Sequence, residues 1–136
     1  MLQRRERHVI ETLASRIARR IDDGMGASAA FISVQPHVIL AARVHVERLV
    51  FDAFVEAAES DPGASSALAA VRSLAALSMT EADLGWFLQH GVITPTSAAE
   101  VRREVTTGSA QLAAEARWLV DAFRIPDAVL AAPIAL

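Results

Sequence analysis

The stretch Val9-Ile10-Glu11-Thr12-Leu13-Ala14-Ser15-Arg16-Ile17-Ala18-Arg19-Arg20-Ile21 returns to an apolar residue every four positions. Val9, Leu13, Ile17 and Ile21 fall on one stripe, with Ile10 and Ala14 beside it. That period belongs to an α-helix with one buried face. Arg16, Arg19 and Arg20 lie mostly off the stripe. Arginines late in a helix also suit the negative end of its dipole. Gly24 and Gly26 follow, and glycine just past the last periodic residue stops a helix.

The same period governs the rest of the chain. A second helical region is expected over residues 28–59, with Ser28 or Ser33 as a cap. Pro36 cannot sit inside a helix without removing a hydrogen bond. The region therefore divides into a short piece at 29–34 and a long helix from 36. Ile39, Val46, Leu49, Val50 and Phe54 are expected as the apolar face of that helix, with Arg43, Glu47 and Arg48 toward water or ion pairs. Ser60-Asp61-Pro62-Gly63 is a turn by composition.

A third helix is expected over 65–90. Leu68, Val71, Leu74, Ala75, Met79, Ala82 and Trp86 form its stripe and Gly91 ends it. The fourth starts at Thr94-Pro95, a cap followed by proline at the first helical position. Ser97 and Glu100 offer a competing capping box one turn later. Val101, Val105, Leu112, Ala116, Leu119 and Phe123 make its stripe, weakened at Gly108 and broken at Pro126. Asp127 can cap a short last helix reaching Leu130 and stopping near Pro133. No alternating run or hairpin dipeptide competes. The expected fold is all-α: an up-and-down bundle of about four long helices plus a short terminal one, in a single domain over 1–136.

Composition narrows the chemistry. There is no cysteine, so disulfides, thiolate metal sites and cysteine nucleophiles are excluded. Every basic residue is arginine, which rules out a Schiff-base lysine and a phosphate-loop lysine. A formal net charge of −3 weighs against nucleic acid as a partner. Arg4-Arg5-Glu6-Arg7 reads as a solvated helix face. Residues 24–42 carry no charge, but Gly24, Gly26, Ser28, Ser33, Gln35, Pro36 and His37 interrupt them, so no membrane span is expected. The charged N-terminus lacks the apolar core of a signal peptide.

Few residues could carry chemistry. His37 and His45 stand eight positions apart, two helical turns, too far to share one metal. No His-Glu-x-x-His or Glu-x-x-His spacing occurs, so His8, His37, His45 and His90 read as surface or cap residues and no metal site is expected. His90 before Gly91 suits a helix C-terminus. Glu81 and Asp83 project about 200° apart on a helix and would not work as an acid–base pair. Glu56 and Glu59 read as solvated. Asp121 lies within the apolar run from Leu119 to Phe123 and calls for a partner such as Arg117 or Arg124. Trp86 and Trp118 read as core or interface anchors rather than cofactor platforms. Gly85 would permit a close helix crossing or be simply tolerated. No catalytic residue is identified, and no cofactor-binding residue can be named.

Two stretches carry a resemblance: Thr80-Glu81-Ala82-Asp83-Leu84-Gly85-Trp86-Phe87-Leu88 and Leu119-Val120-Asp121-Ala122-Phe123-Arg124-Ile125-Pro126-Asp127. Both resemble the C-terminal helical domain of acyl-CoA oxidases. His45-Val46-Glu47-Arg48, Asp52-Ala53-Phe54, residues 74–88, Gly91-Val92-Ile93-Thr94-Pro95 and residues 119–134 continue the likeness in the same order. None of these motifs is catalytic. The resemblance implies a domain that follows acyl-CoA dehydrogenase-like parts. Those parts bind FAD and the acyl-CoA, and supply the glutamate that removes the α-proton. No position here matches that glutamate. Pro36, Gly108 and the uncharged run at 24–42 depart from the family. Ile134-Ala135-Leu136 differs from a Ser-Lys-Leu peroxisomal address, so a bacterial cytoplasmic origin is expected.

The resemblance thus implies a non-catalytic helical subunit or domain that completes an FAD-dependent acyl-CoA oxidase- or dehydrogenase-like enzyme acting on acyl thioesters. It binds no cofactor alone, and its partner is the flavoprotein core. Such a chain is a separate subunit or a piece of one longer oxidase. The alternative is a self-associating helical scaffold or regulator with no flavin link. Homo-oligomers are compatible with either.

Overall fold

The structure, a computed structural model, describes residues 1–60, 65–122 and 124–126. Seven helices follow in order among them: α1 Leu2–Asp22, α2 Ala27–Ser33, α3 Gln35–Ser60, α4 Ser65–Ala82, α5 Leu84–Gln89, α6 Pro95–Ala113 and α7 Ala116–Ala122. No described residue lies in a strand. The long helices α1, α3, α4 and α6 pack as consecutive neighbours, each on the next, as the all-α bundle requires. The turn expected at Asp61-Pro62-Gly63, the stripe residue Phe123 and the cap at Asp127 lie outside the described residues.

Several helix ends follow from the expected residues, although α2 takes Gly26 rather than Ser28 as its N-cap and Ser33 Oγ donates back to Ala30 O. α1 stops at a Schellman motif: Gly24 takes φ +91°, the Gly24 amide donates to Ile21 O at 2.9 Å and the Met25 amide to Arg20 O at 2.9 Å. α5 stops the same way, with Gly91 at φ +59° and the Val92 amide donating to Phe87 O at 2.9 Å. Thr94 caps α6 by accepting from the Ser97 amide at 3.1 Å, with Pro95 in the first turn. The competing box at Ser97 and Glu100 is not used. Pro36 sits in the first turn of α3, where its missing amide costs nothing.

Two long helices break where continuity was expected. The third divides at Asp83, whose backbone leaves the helical region at φ −121°, ψ 29°. Two side chains act at this joint. Thr80 donates from Oγ1 to Ala76 O at 2.8 Å, a back-bond that bends helices. Asp83 is drawn away to arginines on other helices. The fourth divides at Ala114 and Glu115, between α6 and α7. Both are strong helix formers, so nothing in local propensity marks that break.

Arg43, Glu47 and Arg48 of α3 form ion pairs, as expected, but four of the five apolar residues expected to face the core face out. Ile39, Val46, Leu49 and Val50 are exposed by 62%, 56%, 47% and 42%. The buried residues are Ala41 and Val44, which join Val9 of α1 in a core flanked by Leu13 and Leu40. Phe54 is half-buried, as are Glu47 and Arg48. Small Ala41 and Val44 let α1 approach closely, and α1 then offers Arg5 and Glu6 as ion partners for the polar side of α3. Paired charges tolerate burial. The stripe of Ile39, Val46, Leu49 and Val50 is left facing out.

Candidate functional site

Arg5 is the most consequential side chain missed by the sequence reading. It is 1% exposed, within a segment expected to be solvated. One terminal nitrogen binds Glu47 of α3. The other lies 3.1 Å from Asp83 Oδ2 and donates to Met79 O at 3.1 Å. Its guanidinium carbon lies 5.7 Å from the ring centre of fully buried Phe87. Arg43 closes the circuit, 2.6 Å from Asp83 Oδ1 and 3.9 Å from Glu47 Oε1. Two arginines and two carboxylates thus lock α1, α3 and the α4–α5 joint. Glu47 and Asp83 both accept from positive partners and tie these segments together.

A second chain of charge runs beside it. Glu6 accepts from His45 Nδ1 at 2.6 Å and lies 2.5 Å from Arg48 Nε. Arg48 also binds Asp52 one turn on. The His45 hydrogen bond, aided by Arg48, holds the Glu6 carboxyl below the usual carboxylate range, although partial burial opposes this.

The third assembly is aromatic. His90 stacks on Trp86 with ring centres 4.4 Å apart and planes 18° apart. His90 Nδ1 donates to Trp86 O at 2.8 Å, as a histidine at a helix C-terminus should. His8 meets His90 edge-on at 4.4 Å and Trp86 at 5.6 Å. Phe87 meets Trp86 edge-on at 5.1 Å. His8 and His90 are therefore half-buried packing residues rather than free surface groups. Trp86 Nε1 is buried with no hydrogen-bond partner among the described residues.

The other candidates stand apart. Asp121 is exposed and joins no ion pair among the described residues, so the expected bond to Arg117 or Arg124 is not formed. Val120 beside it is exposed too, and the carboxylate stands in water. Gly85 makes no close crossing: a Cβ built there meets nothing within 4 Å. Trp118 and Val120 of α7 are exposed, with Ile125 beyond them. Among the described residues no group of three or more His, Asp or Glu could hold a metal ion, and no helix is long and apolar enough to cross a membrane.

Two shallow grooves among the described residues run along α1, one lined by His8, Glu11, Thr12, Ser15, Arg16, Arg19 and Arg20 and the other reaching Arg48 of α3. The glycines at positive φ are spent on helix stops rather than on a phosphate cradle.

A family model described as acyl-CoA oxidase matches residues 1–136. The chain belongs to the acyl-CoA oxidase family. Acyl-coenzyme A oxidase 2, peroxisomal, of Arabidopsis thaliana is 29% identical over 134 residues, which are 97% of this chain and 19% of that protein. Acyl-coenzyme A oxidase 3, peroxisomal, of the same plant is 31% identical over 135 residues, 96% of this chain and again 19% of the relative. A third Arabidopsis thaliana protein, named only provisionally as an acyl-coenzyme A oxidase, is 31% identical over 135 residues, and the match spans 70% of it. This family member thus spans about a fifth of the length of the first two relatives. No solved structure matches it.

Proposed function

We propose that the chain is a non-catalytic helical unit that completes and stabilises an FAD-dependent acyl-CoA oxidase- or dehydrogenase-like flavoprotein acting on acyl thioesters. The observation that carries this is the match to acyl-CoA oxidases over 19% of their length, by a chain whose inner carboxylates are tied to arginines. FAD, the acyl thioester and the proton-abstracting base then belong to the flavoprotein core. The chain corresponds to the C-terminal helical domain of such an enzyme and supplies support and an apolar docking face. Trp118, Val120 and Ile125 fit that face, since exposed tryptophan beside aliphatic residues is typical of interface centres.

The relative that the chain spans by 70% supports a separate subunit, because family members need not be long. The 19% match to the longer relatives equally supports a segment of one polypeptide. The sequence of DNA upstream separates these: an in-frame flavin domain supports the segment, and an independent start supports the subunit. The proposed compartment is the cytoplasm, while two relatives carry the word peroxisomal in their names; cell fractionation decides it.

The test is co-purification. The tagged chain is expressed with an acyl-CoA dehydrogenase-like flavoprotein of the same genome that lacks this domain. Co-elution of flavin absorbance with the chain, and a higher melting temperature of the flavoprotein in the complex, are expected. A colourless preparation and an unchanged flavoprotein overturn the proposal and favour the helical scaffold without a flavin link.

A further inference from the structure

The second half of α1 carries a polar groove that neither ion-pair circuit uses. Thr12, Ser15, Arg16, Arg19 and Arg20 line it, with His8 and Glu11 at its N-terminal end. Thr12, Arg16, Arg19 and Arg20 recur at steps of three and four, so one side of the helix presents them together. Three arginines stand there against one glutamate, in a chain whose formal net charge is −3.

The arginine heads are uncommitted. Among the described residues Arg16, Arg19 and Arg20 enter no ion pair, although Asp22 and Asp23 follow them directly in the chain. The negative end of α1 does not occupy them either. Arg19 O, Arg20 O and Ile21 O already accept from the amides of Asp23, Met25 and Gly24, each at 2.9 Å. One N–H of Arg20 goes to Arg16 O at 3.3 Å. Arg20 is half-buried all the same, and a partly desolvated guanidinium without an anion is costly.

We propose that this groove binds the diphosphate group of a small soluble anion. This inference does not rest on the flavoprotein reading. A guanidinium holds two phosphate oxygens at once in its planar fork. Arg16 stands about 5–6 Å from Arg19 and from Arg20 at Cβ, so two forks close on one anion from two sides. Three forks hold more oxygens than a single phosphate presents, and a diphosphate makes up the difference. From Thr12 to Arg20 the groove runs about 12 Å at 1.5 Å per residue, room for two phosphoryl groups end to end. The Thr12 hydroxyl adds a donor at one end.

The lining selects against a lipid. None of its described residues is apolar, so an acyl tail has nothing to settle on. A soluble diphosphate ester needs only the forks.

The experiment is calorimetric titration of the 136-residue chain with sodium pyrophosphate in roughly 50 mM salt, where surface charge is little screened. A Kd of about 100 µM or tighter is expected. Arg16→Gln and Arg19→Gln should each weaken it at least about 10-fold. Both residues are exposed, and circular dichroism checks the fold. Should either variant misfold, Arg19→Lys keeps the charge but loses the fork, and should bind at least about 3-fold more weakly. Arg102→Gln on α6 removes the same charge outside the groove and should leave Kd within about 2-fold. No binding at about 10 mM pyrophosphate overturns the proposal. So does an equal loss in Arg102→Gln, which marks net charge alone. Sulfate held as tightly as pyrophosphate means an adventitious ion only and overturns it too. Sedimentation of the chain with phosphatidic acid vesicles, without pyrophosphate binding, assigns the arginines to a lipid surface and overturns it as well.

Discussion

Arg5 on α1 lies 3.1 Å from Asp83 at the α4–α5 joint, while its other terminal nitrogen holds Glu47 on α3. One buried side chain thereby fixes three segments that are distant in sequence. Removing one partner of a buried ion pair strands the other charges, and that costs about 3–5 kcal/mol. Glu47 and Asp83 are 19% and 16% exposed, so water compensates them only in part. Arg5→Ala is expected to fall in that range by urea denaturation. Arg43 touches the same carboxylates but is 43% exposed, and Arg43→Ala should cost less than about 1 kcal/mol. Equal losses for the two variants would show that the circuit does not depend on burial.

The Glu6 carboxyl carries a pH signature. Its folded pKa lies below its unfolded value because His45 and Arg48 favour the charged form. A group depressed on folding contributes stability that is complete above the unfolded pKa, about 4.3, and disappears as pH falls through the lower folded value. Stability of the wild type should therefore drop below about pH 4.3 more steeply than that of Glu6→Gln. The two acid-unfolding curves, followed by circular dichroism, should converge at the acid end. Parallel curves from neutral to acid pH would show that Glu6 is not held in this way.

Gly85 and Gly91 sit within one short helix and its stop, yet should respond to alanine with opposite signs. Gly91 holds φ +59°, a conformation that costs a residue with a side chain about 1–2 kcal/mol. Gly85 is helical and an added methyl meets nothing within 4 Å. Alanine there restrains the unfolded chain and should stabilise by about 0.4–1 kcal/mol. Thermal melts should place Gly91→Ala below the wild type and Gly85→Ala above it. A drop for Gly85→Ala would show a packing role for the glycine that the open space around it denies.

The helices were legible because local chemistry writes their ends. Thr94-Pro95 and the glycines at 24 and 91 act on their own neighbours, and each acts as the sequence implies. Facing was not legible. Ile39, Val46, Leu49 and Val50 line up at helical spacing, but Leu40, Val44, Phe51 and Val55 make a comparable stripe on the other side, so periodicity alone does not choose between them. The side actually buried is chosen by Arg5 and Glu6 on another helix, which no local window contains. The same reason hid Arg5: a basic run looks solvated until its partners Glu47 and Asp83 are brought to it by the fold. Asp121 failed in the converse way, since its apolar neighbours Trp118 and Val120 turned out to be surface.

The two tryptophans should separate folding from docking. Trp86 stacks on His90, meets Phe87 and His8 edge-on, and lies among the packed residues of α5. Truncating a core aromatic costs about 3–5 kcal/mol. Trp86 is half-buried, so Trp86→Ala should fall at the lower end of that range. Trp118 is 52% exposed on α7. Substitutions on an exposed surface usually stay within about 0.5 kcal/mol. Trp118→Ala should therefore melt with the wild type. If α7 docks on a flavoprotein core, the same variant should bind that core at least about 30-fold more weakly, as loss of an aromatic anchor does. Titration of the chain into the flavoprotein, read by calorimetry, measures this. Undiminished binding by Trp118→Ala, with its fold intact, would place the docking face elsewhere on the bundle.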